Sequence, residues 1–146
     1  MKYVHTNLVA RNWKRLADFY IKVFGCEPVP PERDLKGEWI DNAVKLKDTH
    51  ITGMHLRLPG YEDGPTLEIF QYSQEKEVRR LYPNTPGFGH IAFSVTDVEE
   101  ITEKIIGMGG SWVGKLTTVD IPGVGGLVFA YMRDPEGNII EIQKHV

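Results

Sequence analysis

One cysteine, Cys26, is all the sulfhydryl chemistry in a chain of 146 residues. No internal disulfide can form, which excludes a disulfide-stapled secreted scaffold and fits a reducing compartment. Cys26 follows a helical pattern and reads as a small packing residue. Long apolar runs are absent too. The chain opens on charged and polar residues and contains no stretch with the length of a membrane span or a signal-peptide core, so the expectation is a cytoplasmic protein with no membrane partner. Nor is there an excess of basic charge: 17 Lys and Arg against 20 Asp and Glu leave a net charge of −3. With both signs interspersed, that excludes nucleic acid as the expected partner. The adjacent Arg79-Arg80 pair reads as solvated surface.

What is present is a repeat. Val4-His5-Thr6-Asn7-Leu8-Val9 returns as Gly89-His90-Ile91-Ala92-Phe93-Ser94-Val95, a shift of 85 positions from 5 to 90. The same shift carries Leu8 to Phe93, Asn12 to Asp97, Leu16 to Ile101 and Gly25 to Gly110. Each copy reads as strand, cap, helix and glycine stop. Asn12 is the expected N-cap of a first helix with Trp13, Leu16, Ala17, Tyr20 and Phe24 on its apolar stripe, ended by Gly25. Asp97 caps the second, with Glu100 as a capping-box partner and Val98, Ile101, Ile105 and Met108 as the stripe before Gly109-Gly110.

Strand-like runs follow each helix. In the first copy these are Ile51–Leu58, a turn-rich loop from Pro59 to Pro65, and Thr66–Tyr72; in the second, Leu127–Met132, a turn at Asp134-Pro135-Glu136-Gly137, and Ile139–Gln143. Leu67-Glu68-Ile69 and Ile140-Glu141-Ile142 correspond, now 73 positions apart from 68 to 141. The first copy is the longer, with an insertion at Pro28–Lys47. The fold class expected is α+β: two paired βαβββ modules, about 1–74 and 87–146 with a linker at about 75–86, making one domain shaped as an open barrel or clamp.

The repeat delivers His5, Glu68, His90 and Glu141, one imidazole and one carboxylate per copy. A glutamate alternating with aliphatics is usually the wet face of a half-exposed strand, and a lone strand histidine is usually structural. Finding the same pair twice at the same position changes that balance. An ionised Glu among aliphatics is costly to bury unless it is paired, and two carboxylates with two imidazoles suit one divalent cation of Ni, Co, Zn, Mn or Fe type. His55 and Arg57 share a strand face and are candidate substrate contacts, with Trp39 and the Pro28–Lys47 segment as a candidate lid. His50 and His145 read as surface.

On His5-Thr6, Asp18-Phe19-Tyr20 through Phe24-Gly25, Glu68, Gly89–Val95 and Asp134-Pro135-Glu136-Gly137 before Ile140-Glu141, the chain resembles the vicinal oxygen chelate superfamily, and within it the glyoxalase I (lactoylglutathione lyase) family, over nearly its full length. The resemblance implies paired βαβββ modules, commonly in a homodimer, with His5, Glu68, His90 and Glu141 as metal ligands. It implies a lyase or isomerase working through a metal-stabilised enediolate on a small molecule with two adjacent oxygens. Glu141 or Glu68 would be the general base. The chain departs from the glutathione-binding pattern: Val9 stands where an arginine is usual, Tyr72-Ser73 where an asparagine is usual, and Pro122–Gly126 lacks a lysine. Other readings are a methylmalonyl-CoA epimerase-like racemase with an acidic residue near Asp48 as second base, an Fe(II) extradiol dioxygenase with two histidines and one carboxylate, and a non-catalytic drug-binding protein related to bleomycin resistance.

Overall fold

A computed structural model of the chain describes residues 1–77 and 80–146; Arg79 of the arginine pair, and part of the expected linker, lie outside the described residues. The fold is mixed α+β, with two open sheets and three helices among those residues. It divides into two compact units, Met1–Val78 and Arg79–Val146.

The first unit runs β1 (His5–Val9), α1 (Trp13–Phe24), β2 (Glu27–Lys36), α2 (Glu38–Val44), β3 (His50–Arg57) and β4 (Thr66–Tyr72). Its sheet order is β1-β4-β3-β2, with β1 parallel to β4 and the other neighbours antiparallel. The α1 helix begins and ends where the caps dictate. Asn12 Oδ1 accepts the Arg15 N–H at 3.0 Å, and Gly25, at φ +70°, donates its N–H to the Ile21 carbonyl at 3.0 Å. Trp13, Leu16, Ala17, Phe19, Tyr20 and Val23 are buried, a wider stripe than the expected one, while Phe24 is only partly covered. They pack over β3 and β4, where Leu56, Leu67 and Ile69 are fully enclosed. Side chains of this size contribute roughly 1.5–3 kcal/mol each on burial.

The second unit runs β5 (Ile91–Ser94), α3 (Val98–Gly107), β6 (Ser111–Trp112), β7 (Thr117–Ile121), β8 (Gly125–Arg133) and β9 (Ile139–His145). Its sheet order is β5-β9-β8-β6, with β7 also on β8 and β5 parallel to β9. Asp97 Oδ1 accepts the Glu100 N–H at 3.0 Å, but the Glu100 carboxylate turns to Lys104, 2.6 Å away, so only half of the capping box forms. The buried side chains of α3 are Val98, Thr102 and Ile105; Ile101 is half-buried. They pack over β8 and β9 against Ala130, Met132, Ile140 and Ile142.

Two expectations change here. Pro28–Lys47 is not wholly an insertion. Its first part, β2, has a counterpart in β6 plus β7, and both are interrupted midway. The register of β2 shifts between Val29 and Arg33, where Pro30 and Pro31 lack donors, and β6 and β7 are separate strands on β8. Only α2 and its flanks are extra, and the segment forms an edge strand followed by a short helix. The matched glycines also differ in purpose. Gly25 supplies a positive φ, whereas a Cβ at Gly110 would meet the Arg133 carbonyl oxygen and the Ile105 side chain, both at 2.5 Å.

No helix among the described residues is long and apolar enough to cross a membrane. Cys26 is 2% exposed, and burial pushes its thiol up to about 12. Native protein should resist iodoacetamide at neutral pH and be alkylated only when unfolded in denaturant, as mass spectrometry would report. Asn12→Ala should cost about 1 kcal/mol in urea denaturation, with no change in the slope against denaturant.

Candidate functional site

Strand registers place the chemistry. In the first unit the parallel pairing sets Asn7 beside Glu68, so His5, two residues back on the same face, leans toward the same carboxylate. His5 Nε2 lies 3.5 Å from Glu68 Oε2. Asn7 Nδ2 donates to Glu68 Oε2 at 2.9 Å and to the Glu68 carbonyl at 3.3 Å. In the second unit Ala92 is set beside Glu141, and His90, just before β5, puts Nε2 3.0 Å from Glu141 Oε2. Exposure repeats as well. The side chains of His5 and His90 are 39% and 38% exposed, those of Glu68 and Glu141 14% and 13%. Leu67, Ile69, Ile140 and Ile142, which flank the glutamates, are at most 1% exposed, so each carboxylate is the one polar break in an enclosed aliphatic run. Each unit therefore joins its own expected donor pair.

The antiparallel neighbour of each glutamate completes the picture, and here the copies diverge. His55 sits opposite Glu68, and Tyr131 opposite Glu141. His55 Nε2 is 3.0 Å from Glu68 Oε1, and its Nδ1 is 2.8 Å from the Thr66 hydroxyl. Burial above all, with Arg33 and His5 nearby, holds the His55 imidazole below its ordinary 6.5 against the opposing pull of Glu68. Its ring meets that of His5 edge-on at 5.5 Å. His5, His55 and Glu68 form a group whose metal-type donor atoms all lie within 4.8 Å of one another. In the second unit Tyr131 hydrogen-bonds Glu141 and packs edge-on to His90 with ring centroids 5.1 Å apart. Burial first, and then the Glu141 charge and hydrogen bond, raise its phenol above 10.0.

The turn after β8 holds that register. Asp134 Oδ1 accepts the N–H groups of Glu136 (2.9 Å) and Asn138 (3.0 Å), and its Oδ2 accepts the Asn138 side-chain amide at 2.8 Å. Arg133, 7% exposed, donates to the carbonyls of Gly137 (3.0 Å) and Leu81 (2.6 Å).

The remaining candidates sit elsewhere. Arg57 is engaged by the Glu62 carbonyl at 2.7 Å and by Glu27 at 3.6 Å. Trp39, at the start of α2, donates Nε1 to the Lys36 carbonyl at 3.0 Å. Lys36 pairs with His50, so Trp39 lies at the end of β3 away from His55, five residues or roughly 17 Å along the strand. His50 is no bare surface histidine, since its Nε2 is 2.8 Å from Asp34. Asp48 donates its backbone N–H to Asp41 beside that end of β3. His145 is exposed. Tyr131 was missed in the sequence reading. Counting back from the Asp134–Gly137 turn sets it opposite Glu141, a signal that was available.

A family model described as the glyoxalase/bleomycin resistance protein/dioxygenase superfamily matches residues 2–142. The chain belongs to that superfamily. Among its relatives, the lactoylglutathione lyase of Neisseria meningitidis is 28% identical over 145 residues, covering 99% of this chain and 91% of that protein. That of Escherichia coli O157:H7 is 29% identical over 145 residues, covering 97% and 91%. A glyoxalase family protein from Bacillus cereus has a similar fold, with a TM-score of 0.81 at 17% identity over 100% of this chain and 93% of that one. The superfamily resemblance read from the sequence is thereby established.

The His5, His55 and Glu68 donors fit a divalent cation: imidazole and carboxylate are the ligands such ions take, and the group is pre-assembled. In the metal-free protein, Tyr131 should titrate above 10.0, read as the absorbance difference between wild type and Tyr131→Phe. A folded-state value raised in this way stabilises the fold fully below the unfolded value, and that contribution is lost as pH rises through the folded one. Glu141→Gln should bring the titration down.

Proposed function

We propose that this superfamily member is a divalent-metal-dependent lyase or isomerase of glyoxalase type, acting in the cytoplasm on a small substrate with two adjacent oxygens. The observation that carries the reading is the twice-built imidazole–carboxylate pair, alike in register, spacing and enclosure. His5, Glu68, His90 and Glu141 are the proposed ligands of one ion, supplied by one chain or exchanged between two copies in a homodimer. The ion, when bound, supplies Lewis acidity that makes the carbon-bound proton beside a carbonyl labile and offsets the charge of the enediolate. Glu141 or Glu68 takes that proton and returns it to the neighbouring carbon for isomerisation or to the same carbon for epimerisation, as an acyl-CoA racemase would; no redox change occurs. His55 and Arg57 are the proposed substrate contacts on the β3 face, and Trp39 is a contact only for a substrate long enough to reach the far end of that strand. The glutathione part of the relatives' substrate is not carried over, because Val9, 58% exposed, is an apolar side chain with no charge to offer a peptide carboxylate.

A second reading is favoured by the His5, His55 and Glu68 group, whose two imidazoles and one carboxylate have the composition of an Fe(II) oxygenase site. Binding without catalysis, as in drug-sequestering members, is disfavoured by the duplicated donor pairs.

Protein purified without chelator should carry about one divalent ion per chain, and Glu68→Gln should lose most of it in elemental analysis. In deuterated water the metal-loaded protein should place deuterium at the carbon beside the carbonyl of a hemithioacetal or an acyl-CoA. No exchange with any such compound, together with oxygen uptake on a substrate bearing two adjacent hydroxyls, would overturn the isomerase reading in favour of the oxygenase.

A further inference from the structure

The two halves carry matching donor pairs but different third groups, and the difference bears on how a metal ion is first captured. We infer that the first unit alone binds a divalent transition-metal ion through His5 Nε2, His55 Nε2 and one Glu68 oxygen, with Thr66 as the positioning residue for His55. The second unit, where Tyr131 replaces His55, does not hold the ion by itself. The inference rests on the metal reading of His5 and Glu68, adds the independence of the first unit, and gives His55 the role of ligand in place of substrate contact, leaving Arg57 as the contact on that strand.

The geometry supports it in three ways. One donor atom each from His5, His55 and Glu68 lies within 4.8 Å of the other two, with His5 Nε2 3.5 Å from Glu68 Oε2 and His55 Nε2 3.0 Å from Oε1, so the three side chains of one unit already converge. His55 has the arrangement of a ligating histidine, with one ring nitrogen facing the site and the other 2.8 Å from an oxygen that can accept its proton. For His55 to ligate, the proton on Nε2 moves to Nδ1 and the Thr66 hydroxyl turns from donor to acceptor, so no proton is gained or lost. Finally, Asn7 already holds Glu68 Oε2, which orients the carboxylate and leaves Oε1 toward His55. Of these supports, only the approach of the first histidine to its glutamate is duplicated on the other side, where His90 Nε2 lies 3.0 Å from Glu141 Oε2. Ala92 stands where Asn7 does, and the Tyr131 phenol donates to Glu141 rather than offering a lone pair of imidazole type.

The probe is Co2+ alone, titrated into the chelator-treated full-length protein and followed by its visible absorption. His55→Phe should raise the dissociation constant by at least about 100-fold and change the spectrum, and Thr66→Val should raise it about 10–100-fold. The double variant His90→Ala/Glu141→Gln should still take up the ion. Circular dichroism checks folding, and if His55→Phe is misfolded the Thr66→Val result decides, an unchanged affinity there overturning the role of His55. Wild-type affinity and spectrum in a folded His55→Phe protein would also overturn it. So would loss of cobalt from the double variant, whatever His55→Phe does; with His55→Phe unchanged, that pattern leaves the four-donor reading standing. Absence of cobalt binding by the wild type would overturn both.

Discussion

A carboxylate set into a closed aliphatic strand is the constraint around which each half of this protein is built. Glu68 and Glu141 interrupt runs whose neighbours are entirely enclosed, yet their own side chains are nearly as sheltered. An ionised group in that position is tolerated only with partners at hydrogen-bonding distance. The first strand of each unit supplies one partner by lying parallel to the last, and the penultimate strand supplies the other by antiparallel pairing. The helix, packed on the opposite face, keeps the sheet from opening to water. Sheet order, caps and the Asp134 turn all serve to keep those partners in register.

That arrangement explains why so much was legible in the chain and where legibility stopped. The helix caps could be read because they depend on one residue and its neighbours: Asn12, Asp97 and Gly25 act within a single turn of backbone. The donor pairs could be read because a repeat reports position without any knowledge of pairing. His55 and Tyr131 were harder, since their meaning depends on which residue stands opposite across a hairpin. The Pro59–Pro65 loop, longer than a tight turn, leaves that register undetermined until Leu58 N–H is seen to reach the Pro65 carbonyl. The α3 stripe shifted toward Thr102 for a comparable reason: its hydroxyl is satisfied locally by the Glu99 carbonyl at 2.7 Å, which lets a polar residue face the core.

The two halves also show how a duplicated module diverges without losing its plan. A glycine is kept at the same place for a turn in one copy and for a close approach in the other. A long edge strand in one is two short ones in the other. The histidine that meets the carboxylate from the first strand is held, Asn7 on that strand has given way to Ala92, and the partner on the neighbouring hairpin strand has changed from imidazole to phenol.

The placement of β1 and β5 at sheet edges, each beside the last strand of its unit, sets an order of events on the ribosome. The strand that emerges first has no mate until residue 66, in one case, or residue 139, in the other, has been translated. Everything between His5 and Glu68 is therefore made before the two can meet, and Glu68 is translated ahead of every strand of the second half. Non-local pairing of this kind is slow to nucleate, so the nascent chain acquires its chemistry in two instalments, each finished by its final strand.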